Sequence, residues 1–256
     1  MVKIIAITNQ KGGVGKTTTA INLTASLTQK KAKVLLIDCD PQGNATTGSG
    51  IDKNAIEWGL QDVLLENCQI EHAILETVHA YHVLPTNSDL TAAEVGLMQQ
   101  NQRSHILKQA IDKIKNHYDY IIIDCPPALN TLTLNALVAS TDLFIPMQCE
   151  YFALEGLAAL LSTMQQVQQH LNPQLKLLGI LRTMYDPRSR LSQEVSKQLL
   201  QHFGDKVFRV CIPKNVKLAE APSHGLPVNV YSRLSAGSKA YMVLAEEIVT
   251  KMEALA

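Results

Sequence analysis

The sequence of 256 residues predicts an α/β fold: a mostly parallel, twisted sheet covered by helices on both faces. Two observations predict it. The strand-like runs are continuously apolar rather than alternating, as strands buried on both faces must be. They also alternate along the chain with segments of helical spacing, the order of stacked strand–helix–strand units. No internal repeat, low-complexity tract or Pro/Gly/Ser-rich linker interrupts this order, so residues 1–256 are expected to form one domain.

The run Lys3-Ile4-Ile5-Ala6-Ile7 predicts a first strand over residues 4–8. Ala20, Leu23 and Leu27 then fall on one face of a helix predicted over 16–29. Val34-Leu35-Leu36-Ile37 predicts a second strand over 34–38, and further apolar runs predict strands at 82–85, 120–124, 143–147, 177–181 and 207–212. Helical spacing over 103–116, 132–139, 154–171, 191–202 and 235–255 supplies the covering layers. In such a sheet, ligands sit beyond the carboxyl ends of the strands. Segments 8–16, 38–44 and 124–127 all lie at such ends, so their polar residues are expected to share one rim.

The first of these segments carries the strongest chemistry. Gln10-Lys11-Gly12-Gly13-Val14-Gly15-Lys16-Thr17-Thr18 joins the first strand to the first helix. That turn aims backbone N–H groups and a helix N-terminus at one point, which suits a phosphate chain. Lys16 is expected to reach the β- and γ-phosphates of a nucleotide, and the Thr17 hydroxyl to complete a magnesium shell. The common pattern G-x-x-x-x-G-K-[ST] has glycine where this chain has Gln10, and the chain adds a second lysine, Lys11.

Val34-Leu35-Leu36-Ile37-Asp38-Cys39-Asp40 is an apolar strand ending in two aspartates at i and i+2, a spacing that puts both carboxylates on one face. One of them can serve the magnesium shell, with Asp38 a candidate, while the other orients or deprotonates an attacking water. Tyr120-Ile121-Ile122-Ile123-Asp124 ends in a single carboxylate, suited to holding Mg²⁺ directly or through water.

Composition narrows the class. Five scattered cysteines without a C-x-x-C pair read as reduced thiols of a cytoplasmic protein, and no apolar run approaches the length of a membrane span. The net charge is zero, but residues 1–181 carry 12 Lys/Arg against 16 Asp/Glu, whereas residues 182–256 carry 11 against 7. The last quarter is therefore a candidate basic face.

Taken together, residues 11–18, 38–44, 123–127, the stretch Gln148-Cys149-Glu150-Tyr151-Phe152-Ala153-Leu154-Glu155-Gly156 and the segments from Ile212 to Gly225 resemble the deviant Walker-A ATPases of the ParA/MinD group, and within it the Soj-like ParA partitioning ATPases. The resemblance spans nearly the whole chain and implies the P-loop NTPase fold. It implies ATP as substrate, Mg²⁺ as cofactor and a homodimer that closes on ATP. Lys11 would reach across that dimer to the partner's phosphates, which stabilises the transferring phosphoryl group in trans. Gly12 would permit close approach, Asp40 would orient the attacking water, and Pro213 and Asn215 would border the adenine.

The same resemblance implies non-specific contact with double-stranded DNA through basic residues near Arg188 and Lys217, with Arg190 and Lys214 as neighbouring candidates. A patch shared by two subunits would make DNA affinity nucleotide-dependent and salt-sensitive. A ParB-type centromere-binding protein is the implied partner, and a nucleoid-associated cytoplasmic location the implied address. The alternative is a positioning ATPase of the same fold acting on a protein cargo. A membrane-cycling role is disfavoured, because Glu246, Glu247 and Glu253 outnumber Lys251 in the last helix.

Overall fold

A computed structural model describes residues 2–99 and 103–253. Its centre is a sheet of strands β1 (Lys3–Ile7), β2 (Val34–Asp38), β3 (Leu75–Glu76), β4 (His82–Leu84), β5 (Tyr120–Asp124), β6 (Asp142–Gln148), β7 (Lys176–Tyr185) and β8 (Val207–Pro213). Their spatial order is β3-β4-β2-β5-β1-β6-β7-β8. Every pairing is parallel except β3 with β4. The expected α/β class is observed.

Alternation along the strands splits the core into two layers. Leu35, Ile37, Ile121, Ile123, Leu143 and Ile145 face helices Ile106–Ile114, Thr131–Ala139 and Ala153–His170. Ile5, Ile7, Leu36, Ile122 and Phe144 face helices Lys16–Gln29 and Ala236–Glu253. The last helix packs Tyr241, Leu244, Ile248 and Met252 into that second layer, and Tyr241 hydroxyl lies 3.0 Å from Thr19 Oγ1. Its apolar face is committed to the core. Residues 254–256, the end of the helix predicted over 235–255, lie outside the described residues.

Side chains cover the last strand. The Glu247 carboxylate accepts from the N–H of Arg209 at 2.7 Å and of Val210 at 3.2 Å. The buried Arg182 donates from Nη2 to the carbonyls of Phe208 and Arg209 at 2.8 and 3.0 Å.

The predicted strands are observed within a few residues, and β7 runs further, to Tyr185. The two-residue β3 and the short helices Asn44–Gly48, Leu60–Leu64, Ile70–Ala73, Leu90–Leu97, Val216–Glu220 and Val228–Tyr231 were not predicted, being too short to display a hydrophobic period. The helix expected over 103–116 begins at Ile106 and tightens into a 3₁₀ turn at Lys115–His117. All five cysteines are free.

Candidate functional site

The glycine-rich loop is tied down on two sides. Asn9 Oδ1 accepts from the Lys11 N–H at 3.0 Å while Nδ2 donates to the Pro146 carbonyl at 2.8 Å, fixing the loop's start to β6. Thr183 Oγ1 donates to the Val14 carbonyl at 2.8 Å, fixing its middle to β7. Gly13 and Gly15 adopt φ of 75° and 87°, left-handed values that only glycine takes without strain. Gly15 then opens the helix, its carbonyl accepting from Thr19 N–H at 2.9 Å. Thr17 and Thr18 occupy the first turn, so their N–H groups belong to the unpaired helix terminus.

Lys16 is buried, 7% exposed, and its Nζ donates to the Lys11 carbonyl at 3.2 Å. Burial lowers its pKa, and the nearby carboxylates of Asp124 and Asp40 oppose that shift. The register pairs Asp38 with Asp124 and Ile7 with Asp124, so three strand ends converge on this ammonium.

Asp124 is fully buried, and among the described residues neither carboxylate oxygen meets a donor in full hydrogen-bond geometry, although the Thr17 hydroxyl lies close by. Burial first, and then the charge of Asp38, push its pKa well above the carboxylate range, while the Thr17 hydroxyl and Lys16 oppose the rise. A buried carboxylate with unused lone pairs beside a hydroxyl fits Mg²⁺, which takes one or two protein oxygens and fills its octahedron with phosphate and water. Among the described residues no group of three or more His, Cys, Asp or Glu side chains forms an all-protein cage.

Asp38 is engaged within the chain. Its Oδ2 accepts from both the N–H and the hydroxyl of Thr46 at 2.7 Å, anchoring helix Asn44–Gly48, and burial pushes its pKa up to about 6. β2 ends at Asp38, so Asp40 lies in the following turn and the shared-strand-face expectation does not apply. Asp40 Oδ1 accepts from Gln42 N–H at 3.0 Å, and the residue stays at the rim, 9% exposed.

Lys11 sits on the outer side of the loop, half-exposed, in an ion pair with Glu150. A Cβ added at Gly12 would meet nothing within 4 Å, so no contact within the chain requires glycine there. Beyond the loop, a cavity of about 290 Å³ is lined by Thr18, Met184, Ile212, Pro213, Asn215 and Val216 among others. Asn215 caps helix Val216–Glu220, its Oδ1 accepting from Lys217 N–H at 3.1 Å.

Parallel pairing of Tyr185 with Pro213 places the turn 186–190 beside residues 214–217. Arg188, Arg190, Lys214 and Lys217 are all exposed there. Ser189 caps the helix Arg190–Phe203, accepting from Ser192 N–H at 3.3 Å. Among the described residues no helix is long and apolar enough to cross a membrane.

Sequence reasoning missed Asn9, Thr46, Glu150 and Thr183 as individual contributors. Asn9 had a local signal, since it directly precedes the loop. Thr183 had none, because its contact spans 169 positions.

A protein-family model described as an AAA domain matches residues 2–177. The sporulation initiation inhibitor protein Soj of Bacillus subtilis is 49% identical over 97% of this chain and 98% of its own length. The chromosome partitioning protein ParA of Caulobacter vibrioides is 47% identical over 98% and 95%. Among solved structures, a cobyrinic acid a,c-diamide synthase from Mycobacterium smegmatis with bound ATP analogue and magnesium superposes with a TM-score of 0.88 at 36% identity, covering 100% of this chain and 98% of its own.

Proposed function

The chain belongs to the Soj/ParA family of chromosome-partitioning ATPases, and from that membership we propose that it is an ATP-driven dimerisation switch that acts on DNA with a ParB-type partner. It hydrolyses ATP to ADP and phosphate with Mg²⁺. The single observation that carries the chemistry is the buried, unpartnered Asp124 carboxylate beside Thr17 and Lys16 at the mouth of the glycine-rich loop.

Thr17 and Asp124 are the residues that would hold Mg²⁺, which when bound would supply positive charge to offset that of the phosphates. The loop N–H groups and Lys16 cradle the phosphate chain and stabilise the charge that develops on it. Asp40, in the turn that follows β2 and beside Lys16, is the carboxylate assigned to orient the attacking water. The cavity by Pro213 takes the base, and the Asn215 side-chain NH₂ is its polar recognition group.

Lys11 has no phosphate to serve within its own subunit, because Lys16 already fills that role. Leaving Glu150 for the partner's triphosphate would bring a cation to the reaction only in the dimer. The open space at Gly12 supports a close approach there. Arg188, Arg190, Lys214 and Lys217 form the surface proposed for non-specific double-stranded DNA, one patch from each subunit.

DNA retention measured with ATP, ADP and no nucleotide tests this. ATP is expected to give binding that falls steeply with salt, and the other two conditions weak binding. Equal affinity in all three refutes the switch.

A further inference from the structure

On the proposed DNA surface, two of the four cations are already bound to carboxylates. Arg188 donates from Nε to Asp186 Oδ1 at 3.1 Å and from Nη2 to Oδ2 at 3.2 Å. Lys217 Nζ donates to Glu220 Oε2 at 2.8 Å, and the Tyr231 hydroxyl donates to the same oxygen at 3.0 Å. Lys217 also lies 5.5 Å from the centre of the Tyr231 ring. Lys214 is near enough to Asp186 to help hold that carboxyl below its ordinary range, behind the larger effect of Arg188. Three of the four cations thus face two carboxylates, and the four positive charges of one subunit's patch are offset by two negative ones, leaving half.

We propose that Asp186 and Glu220 are affinity-setting residues, which keep the DNA surface of one subunit below the charge needed to hold a duplex and so make retention depend on two. This rests on the DNA-binding reading above and names how that surface is regulated. Exposed ion pairs are weak, so phosphate can displace each carboxylate from its cation. The displaced carboxylate stays within a Debye length and repels the phosphate that replaced it. Non-specific affinity follows the number of phosphates neutralised, each adding about 0.9 to the log–log salt slope. Two unmodified patches together carry the same net charge as one patch with both carboxylates neutralised. The carboxylates therefore place the binding threshold between one subunit and two.

The test is the double variant Asp186→Asn, Glu220→Gln. Asn keeps the oxygen that accepts from Arg188 N–H at 2.9 Å, and Gln keeps an acceptor for Tyr231, so the turn and helix are retained. Binding to a labelled duplex of random sequence is measured by anisotropy from 50 to 200 mM salt, with ATP, ADP and no nucleotide, beside Arg188→Glu. The double variant is expected to bind without ATP, with a slope steeper by about 1.8, so that its gain from 200 to 50 mM salt is about tenfold larger than that of the unmodified chain. Asp186→Asn alone, which alters only the turn, is expected to give about half that slope change, 0.9. Unchanged affinity and slope in both variants, while Arg188→Glu abolishes binding, overturns the proposal and leaves the DNA surface standing. Full binding by Arg188→Glu overturns both.

Discussion

At the scale of single residues, the site is organised by which carboxylate is satisfied and which is not. Asp38 accepts three hydrogen bonds from Thr46 and Asp40. Its neighbour Asp124 accepts none. A buried carboxyl group with unused acceptors costs stability until a ligand arrives. Asp124→Asn is therefore expected to raise the stability of the nucleotide-free protein by about 1–3 kcal/mol, read as a higher midpoint in denaturant. The same change should lower Mg²⁺-dependent ATP turnover by about 100-fold or more, since a ligand charge is lost where phosphate charge is being neutralised. A residue serving only the fold would move both measurements downward. Lys16, Thr17 and Asp124 were legible in the sequence because a strand end and a glycine turn specify them within a few positions. Thr183 was not, and Glu150 was visible only as one residue of the stretch 148–156, without its ion pair to Lys11. Their roles come from contacts with the distant phosphate loop, which no local pattern specifies.

At the scale of elements, the motif around Gly225 acts as a clasp on the helix that Asp38 anchors. Gly225 has φ of 63°, and a Cβ there would lie 2.8 Å from Gly50 Cα and 3.6 Å from the Thr47 carbonyl. The approach is reciprocal, since a Cβ added at Gly50 would lie 3.0 Å from the Gly225 carbonyl oxygen. His79 Nε2 lies 3.3 Å from the same carbonyl, closing the clasp from the β3–β4 turn. Gly225→Ala is thus expected to cost about 2 kcal/mol or more from backbone strain and overlap. It should also shift helix Asn44–Gly48, and with it Asp38 and Asp40, so kcat falls while the loop's hold on nucleotide changes little. Turnover and nucleotide affinity measured on the same sample separate these effects. The long strands and helices were readable from their periods. The helix at Asn44–Gly48 was not, because it has five residues and is held by Asp38 and Gly225 rather than by an amphipathic face.

At the scale of the whole molecule, one rim carries all the chemistry. β7 is bonded to the phosphate loop through Thr183 and opens into the Arg188 turn within five residues, so nucleotide and the proposed DNA surface share a strand. Lys11 is the residue that would join two such molecules. Lys11→Ala is expected to keep ATP binding, remain a monomer with ATP in size-exclusion, and lose turnover by about 100-fold. Charge counted along the sequence points to the last quarter as a basic face, but it does not show that β7 and β8 end side by side and so bring residues 186–190 next to 214–217.

The opposite boundary of the molecule has its own consequence. An outer strand with free backbone groups is a template on which further chains can align and grow into fibres. Here Glu247, from the last helix, occupies the amides of Arg209 and Val210. Strand recruitment at β8 is opposed at those positions, and growth of an open-ended assembly through that flank would first have to strip a carboxylate from it.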